Sequence, residues 1–245
     1  MRVALVCFAA STAFGQLPFH GEPNGGVTVI ADPAILRLGQ LVAGEPYSAE
    51  WVQERVYTLA NGAQSKFPAL KPGKMWRDSQ GRTRSERFIV IGPQTANRAT
   101  MIEVRDEVGG YYYVLDELAK VAHRLTLTRQ RSSTPESPSL PPAVGKSLEK
   151  LGTRVFEGIL AEGTRMTNTV VAGDAPPLVF TTEQWDSPEL RVTLFVKQFD
   201  PRIGELLTAW MTNIARAEPD PALFTIPAGY AVVDENESFR LTVEK

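Results

Sequence analysis

The chain has 245 residues, a net charge of −2 and 43% hydrophobic residues. It is therefore long enough to bury a large core and too apolar to be disordered throughout. Its mild acidity argues against a nucleic-acid partner. No apolar run beyond the first 15 residues approaches the roughly 20 residues that a membrane-spanning helix needs.

The first 15 residues have the features of a cleaved signal peptide. Arg2 gives a positive start, residues 3–14 are apolar, and Ala13 and Gly15 are small residues at the two positions that signal peptidase reads. We therefore expect export, to the periplasm or the extracellular space. Cleavage before residue 16 would remove the only cysteine, which excludes a disulfide framework, a cysteine metal site and thiol catalysis. A buried N-terminal strand or helix is the alternative interpretation.

Turn motifs divide the first half of the remaining chain into strands. Residues 16–46 are rich in glycine and proline, and we expect much of this segment to be mobile. Residues 47–128 form a first β half. Asn61-Gly62 predicts a hairpin turn, because both residues tolerate positive φ, and a second turn is predicted at residues 78–81, where Gly81 suits a left-handed conformation.

A Pro/Ser-rich segment separates the two halves. Residues 129–147 have almost no apolar side chains, so they predict a linker or a long exposed loop. Strands resume over residues 148–245, the second β half, and residues 190–199 alternate as a half-buried strand does. We expect residues 47–245 to form one domain.

The strand pattern determines the predicted fold class. We count on the order of ten strands at regular spacing and at most two short helices. One of these is a single helical turn that ends in Phe224, which would act as a plug. A strand–helix–strand rhythm is missing. The sequence therefore predicts a mainly β protein with an antiparallel curved sheet, or half-barrel, and few short helices.

Catalytic and metal chemistry have little support in the sequence. The two histidines, His20 and His123, give no recognisable zinc spacing, and no Gly-x-Ser-x-Gly motif presents a serine. We expect no cofactor, no metal and no enzymatic activity. His123 is interpreted as a half-exposed strand residue, and a hydrolase that uses it as a base is the least favoured hypothesis.

Aromatic residues on predicted strands suggest a binding surface. Ordinary core packing is one interpretation. The other is an open apolar groove suited to acyl chains, because few helices are available to cover the sheet. The candidate groove residues are Trp51, Trp76, Phe88, Tyr112, Phe195 and Trp210.

Charge is distributed unevenly. Residues 51–92 carry a net charge of +5 and residues 183–245 a net charge of −5. Solvated strand faces are one interpretation. The other is a basic patch that faces anionic lipid headgroups or an acidic protein partner.

Six motifs of the chain are Trp76-Arg77-Asp78-Ser79-Gln80-Gly81-Arg82-Thr83-Arg84-Ser85-Glu86, Leu151-Gly152-Thr153-Arg154, Glu162-Gly163-Thr164-Arg165, Glu183-Gln184-Trp185-Asp186-Ser187-Pro188-Glu189-Leu190, Asp200-Pro201-Arg202-Ile203-Gly204-Glu205 and Pro219-Asp220-Pro221-Ala222-Leu223-Phe224. Together they resemble a family of uncharacterised secreted bacterial proteins. The resemblance covers most of residues 47–233 and implies no activity. The chain differs from that family after Leu115, where Asp116 is followed by Glu117 rather than proline.

In outline, the successive hairpins and the closing 219–230 segment also resemble the periplasmic lipoprotein-carrier (LolA-like) fold. That resemblance implies a half-barrel around an apolar cavity under a helical lid, although this chain has little helix. The same fold serves sensor domains of envelope-stress regulators, so fold does not settle function. The first hypothesis is a non-catalytic exported binding module that holds a lipid or lipoprotein acyl group. The alternative is an envelope protein-interaction or scaffolding module.

Overall fold

A computed structural model describes residues 16–21, 26–32, 35–39, 41–59, 61–67, 71–91, 97–128, 143–171 and 176–242. Of these residues, 62% lie in strands and 2% in helix. The prediction of a mainly β protein with an antiparallel, open and curved sheet and few short helices is confirmed. The predicted signal peptide, 1–15, and most of the predicted linker, 129–142, lie outside the described residues.

Sixteen strands and one 3₁₀ turn, Pro221–Phe224, make up the regular structure of the described residues. The strands are β1 Phe19–Gly21, β2 Val27–Val29, β3 Tyr47–Thr58, β4 Gln64–Lys66, β5 Gly73–Arg77, β6 Thr83–Ile91, β7 Asn97–Asp106, β8 Tyr111–Asp116, β9 Val121–Thr126, β10 Ala143–Phe156, β11 Ile159–Val170, β12 Leu178–Ser187, β13 Val192–Asp200, β14 Glu205–Ala215, β15 Ala231–Asp234 and β16 Phe239–Leu241.

The chain forms two compact units. Unit 1 comprises residues 1–48, 73–133 and 215–245, and unit 2 comprises residues 49–72 and 134–214. The C-terminal segment therefore belongs with the strands of the first β half. The predicted boundaries of the two halves stay a prediction, and β10 already begins at residue 143.

Aspartate-based turns join the strands of unit 1 into antiparallel hairpins. At the β5–β6 turn, Asp78 Oδ1 accepts the N–H of Arg82 at 2.8 Å, and Gly81 has φ +89°. At the β7–β8 turn, Asp106 Oδ1 accepts the N–H groups of Val108 and Gly109 at 3.0 and 2.8 Å. Side-chain acceptors of this kind stabilise turns locally. The β5–β6 hairpin lies at the turn that the sequence predicts over residues 78–81.

A second, smaller sheet covers one side of the main sheet of unit 1. The main order is β5-β6-β7-β8-β9-β15, and the small sheet has the order β1-β2-β16. Leu17, Val27 and Val29 are fully buried and pack in one cluster with side chains of the main sheet. The main sheet contributes Ile89, Met101, Tyr112, Val114 and Leu125 to this cluster, and Leu127, just after β9, also belongs to it.

The two ends of unit 1 differ from the sequence-based expectations. The described parts of residues 16–46, expected to be mobile, form two strands because their few apolar side chains are buried in this core. The short strands β15 and β16 were not predicted. β15 pairs parallel to β9, which is an exception to the antiparallel pattern. The 3₁₀ turn does place Phe224 as a buried plug, as predicted.

Unit 2 is an antiparallel sheet with the order β10-β11-β12-β13-β14-β3, and β4 pairs with β3. The β3–β4 hairpin includes Asn61 and Gly62, as predicted, and Asn61 Oδ1 accepts the N–H of Ala63 at 3.0 Å. The hairpin of β10 and β11 turns at Glu157 and Gly158, where Gly158 has φ +80°. This hairpin positions part of the candidate site.

Candidate functional site

Three aromatic residues lie side by side across β12, β13 and β14 of unit 2. Trp185 is the register partner of Phe195, and Phe195 is the register partner of Trp210. Directly opposed residues of antiparallel strands point to the same side of a sheet. Trp185 is 7% exposed, whereas Phe195 and Trp210 are half-buried. The three rings therefore form an apolar row that is partly open to solvent.

A fourth ring reaches this row from the β10–β11 hairpin. The ring of Phe156 stacks on that of Phe195 at a centroid distance of 5.8 Å and meets Trp185 edge-on at 5.9 Å. These separations lie in the range of favourable aromatic pairs. We call Phe156, Trp185, Phe195 and Trp210 the aromatic face.

A row of charged side chains borders the aromatic face two residues further along the strands. Glu183 is the register partner of Arg165 on β11 and of Lys197 on β13. Glu183 Oε1 accepts the indole N–H of Trp185 at 2.9 Å, and Oε2 accepts a bond from Arg165 at 3.1 Å. The indole and then the guanidinium hold the pKa of the Glu183 carboxyl below its usual value. This border fixes the orientation of the Trp185 ring.

The turn of the β10–β11 hairpin is bonded to the end of β14. The carboxylate of Glu157 accepts bonds from Thr212 Oγ1 at 2.6 Å and from the N–H of Ile214 at 3.0 Å. These bonds lower the pKa of Glu157, the Thr212 bond most. Strands β12 and β13 lie between β11 and β14 in the sheet order. The turn therefore extends over the side of the sheet that carries the aromatic face.

The structure brings together two of the six candidates from the sequence. Phe195 and Trp210 are neighbours on the aromatic face. Trp51 lies on β3 of unit 2 and is buried. Trp76 and Phe88 lie half-buried on β5 and β6 of unit 1, and Tyr112 is buried on β8.

Two residues of the aromatic face were not among the candidates. Trp185 is followed by the charged Asp186, and no local sequence pattern shows which side of the sheet its ring occupies. Phe156 precedes the Glu157-Gly158 turn. Its contact with Phe195 depends on how the hairpin folds over the sheet, which a local pattern does not encode.

Tyr112 belongs to a buried polar cluster in unit 1. Its hydroxyl donates to Glu103 Oε1 at 2.7 Å, and the same oxygen accepts the N–H of Leu17 at 2.9 Å. Arg87 Nε donates to the other Glu103 oxygen at 3.1 Å, and Arg87 Nη2 donates to the carbonyl of Leu17. Burial first, and then the Glu103 charge, raise the pKa of Tyr112 well above its usual value. The chain's own side chains thus fill unit 1 at Tyr112.

His123 is buried rather than half-exposed. Its ring stacks on Phe239 at 4.2 Å, and Nδ1 lies 2.7 Å from a carboxylate oxygen of Glu235. The sequence interpretation missed this burial because Phe239 lies on β16, which was not predicted.

Among the described residues, no group of three or more histidine, cysteine or acidic side chains could hold a metal ion. Within the same residues, no helix is long and apolar enough to cross a membrane.

No profile of a known protein family and no curated protein sequence matches this chain. Among solved structures, it is similar to an uncharacterized conserved protein from Thermus thermophilus, with 12% identity and a TM-score of 0.42 over 78% of this chain and 91% of that one. It is also similar to the Pseudomonas aeruginosa MucA/MucB complex, with 17% identity and a TM-score of 0.40 over 77% of this chain and 58% of that one.

A third similar structure is a LolA superfamily protein from Nitrosomonas europaea, with 7% identity and a TM-score of 0.32 over 75% of this chain and 91% of that one. These structures include an uncharacterised protein and a LolA superfamily protein, the two kinds of protein that the sequence motifs resemble. Because all three TM-scores are below 0.5, the matches assign no function to the chain.

Proposed function

We propose that the protein is a non-catalytic binding module that holds an acyl group of a lipid or lipoprotein on the aromatic face of unit 2. The observation that carries this proposal is the row of Trp185, Phe195 and Trp210 on adjacent strands, with two of the three rings only half-buried. Exposed aromatic surface next to polar side chains is typical of ligand sites. In unit 1, one side of the sheet is covered by β1, β2 and β16.

The spacing of the row favours a long, flexible apolar ligand. Adjacent strands lie about 4.8 Å apart, so the row from Trp210 to Gly163, the β11 partner of Trp185, spans about 14 Å. Each buried methylene contributes about 0.8 kcal/mol, and association costs about 4–15 kcal/mol. About five to nineteen buried methylenes are therefore needed before binding becomes favourable. The charged border at Glu183 and Arg165 leaves the polar end of such a ligand in a polar environment.

Quenching of tryptophan fluorescence by a brominated fatty acid tests this proposal. The chain has four tryptophans, of which Trp185 and Trp210 lie on the aromatic face. We expect the probe to quench the native protein, and Trp210→Phe to remove a large part of the quenched emission. Trp76→Phe, at a half-buried position of unit 1, is the matched control and should leave the quenching in place.

Two results would overturn the proposal. One is the absence of quenching together with native mass spectra of the purified protein that contain no bound lipid. The other is equal loss of quenching in Trp210→Phe and Trp76→Phe, which would place the probe away from the aromatic face.

The protein-interaction alternative has weaker support. In the basic stretch 51–92, Arg82 bonds to Asp78, Arg84 to Glu86 and Arg87 to Glu103. These arginines are thus neutralised within unit 1 and contribute little free positive surface. Gel filtration that gives a salt-sensitive oligomer would favour this alternative.

Export also belongs to the proposal. N-terminal sequencing of the mature protein should therefore show Gln16 as its first residue.

A further inference from the structure

The tip of the β10–β11 hairpin extends beyond the sheet. β11 pairs with β12 only from Glu162, opposite Asp186, to Val170. β10 and β11 continue to pair with each other as far as Phe156 and Ile159. Residues 153–161 therefore form a two-stranded ribbon of β10 and β11. β12 does not pair with this part of β11.

Two glycines lie opposite each other where this ribbon begins. Gly152 of β10 is the register partner of Gly163 of β11, and a register shift lies between Lys150 and Gly152. Gly152 has φ +86°, a conformation that other residues rarely adopt. Glycine pairs and bulges bend strands with little steric cost. The backbone at the base of the ribbon can therefore bend at little steric cost.

The underside of the ribbon, which carries Phe156, covers Trp185 and Phe195 of the aromatic face. Ile159 and Ala161 are 1% and 0% exposed, and Phe156 contacts Trp185 and Phe195. On the opposite side, Val155 and Leu160 are register partners and are exposed. The ribbon thus buries one side against the sheet and leaves the other in solvent.

Hydrogen bonds join the far end of the ribbon to β14, and residues on both sides of this contact have positive φ. Glu157 has φ +46°, and its carboxylate bonds to Thr212 and Ile214. Asn213, between those two residues, has φ +55° within β14, and its amide donates to Glu50 at 2.8 Å. Non-glycine residues in this conformation persist only where their surroundings hold them there. Two such residues meet at this contact.

We propose that the ribbon 153–161, which carries Phe156, is a gate over Trp185 and Phe195 of the aromatic face, hinged at Gly152 and Gly163 and latched by Glu157 to β14. This inference rests on the proposed function, because it describes how a ligand would enter that site. Opening breaks the exposed Glu157 bonds and lifts Phe156 from Phe195. It leaves the β11–β12 pairing beyond Glu162 intact. The sheet itself therefore need not unfold when the gate opens.

Hydrogen exchange read by mass spectrometry tests the gate without a ligand. In Glu157→Ala we expect exchange about fivefold faster at the ribbon and at the amide of Ile214, with no change in β6–β9 of unit 1. Glu162→Ala removes the same charge from an exposed position at the base of the same ribbon. This control should leave the exchange of the ribbon unchanged.

Any of three results overturns the gate. Exchange at the ribbon is unchanged in Glu157→Ala, Glu162→Ala accelerates exchange at the ribbon as much as Glu157→Ala does, or Glu157→Ala accelerates exchange across both units. The brominated fatty acid supplies a separate measurement, because a gate predicts faster quenching in Glu157→Ala than in the native protein. If exchange reports opening but no variant is quenched, the gate stands and the proposed acyl ligand is wrong. If quenching occurs at the same rate in both proteins, the gate does not control entry.

Discussion

The indole ring of Trp185 lies flat against Gly163 on the neighbouring strand, at the place where any other residue would carry its Cβ atom. A Cβ built on Gly163 would approach three ring carbons of Trp185 at 2.8 Å. The two residues are register partners, so the contact follows from the pairing of β11 with β12. Glycine at 163 is therefore needed for the ring to rest on the sheet and to extend the aromatic face.

The first prediction is that Gly163→Ala displaces the Trp185 ring. Overpacking of this kind costs about 1–3 kcal/mol, and the displaced indole loses its bond to Glu183. Chemical denaturation followed by tryptophan fluorescence should give a lower free energy of unfolding, and near-ultraviolet circular dichroism should report the altered ring environment.

Gly145→Ala is the matched control for this variant. Gly145 lies on β10, and its Cβ would meet Thr169 at 3.8 Å, an ordinary contact. We expect a change within about 0.5 kcal/mol. Equal effects of the two substitutions would mean that the contact with Trp185 is unimportant and that strand glycines act only through the backbone.

The second prediction concerns the buried carboxylate of unit 1. Glu103 is 3% exposed and accepts bonds from Arg87, Tyr112 and Leu17. Glu103→Ala would leave the guanidinium of Arg87 without its counter-charge, which costs about 3–5 kcal/mol for a buried pair. Urea denaturation measures the loss. Glu117→Ala, in an exposed turn, should change the stability by less than about 0.5 kcal/mol, and a comparably small loss for Glu103→Ala would contradict the prediction.

Local chemistry explains why much of the fold could be predicted. The turns at Asn61-Gly62 and at Asp78 to Gly81 are encoded by residues that favour positive φ or accept bonds from the nearby backbone. Phe195 and Trp210 could be selected as candidates because each lies on a predicted strand. Strand pairing then places them side by side, a relationship that no single strand encodes.

The parts that could not be predicted depend on contacts distant in sequence. Phe156 joins the aromatic face only because the β10–β11 ribbon extends over β12 and β13. β15 is short and fully exposed, so it lacks an alternating pattern, and its parallel pairing with β9 is a tertiary feature. In residues 16–46, glycine and proline obscured the three apolar side chains that complete the core of unit 1.

The third prediction concerns stability at alkaline pH. The folded-state pKa of Tyr112 is raised well above 10.0, first by burial and then by Glu103. As the pH rises, the phenol therefore ionises in the unfolded chain before it ionises in the folded protein. The contribution of Tyr112 to the free energy of unfolding is full below about pH 10 and declines as the pH rises above that value. The decline approaches about 1.4 kcal/mol per pH unit. Urea midpoints between about pH 9 and 11 should fall less steeply in Tyr112→Phe, and identical slopes would contradict the prediction.

The fourth prediction concerns the gate in acid. Hydrogen bonds from Thr212 and Ile214 lower the folded-state pKa of Glu157 from 4.5. Its contribution to closure is therefore full above about pH 4.5 and is lost as the pH falls through the lower folded-state value. Hydrogen exchange at the ribbon should differ between the native protein and Glu157→Ala at neutral pH, and the difference should disappear in acid.

Comparison of the two proteins at each pH removes the intrinsic pH dependence of exchange. Glu50 accepts a bond from Asn213 at the same end of β14. Because Glu50 is present in both proteins, it does not contribute to the difference between them. Glu157→Gln keeps an oxygen acceptor but has no charge to lose, so its exchange relative to Glu157→Ala should not depend on pH. A difference between the native protein and Glu157→Ala that persists undiminished below the folded-state pKa of Glu157 would show that the carboxylate charge does not hold the ribbon. Closure would then rest on the packing of Phe156 against Trp185 and Phe195.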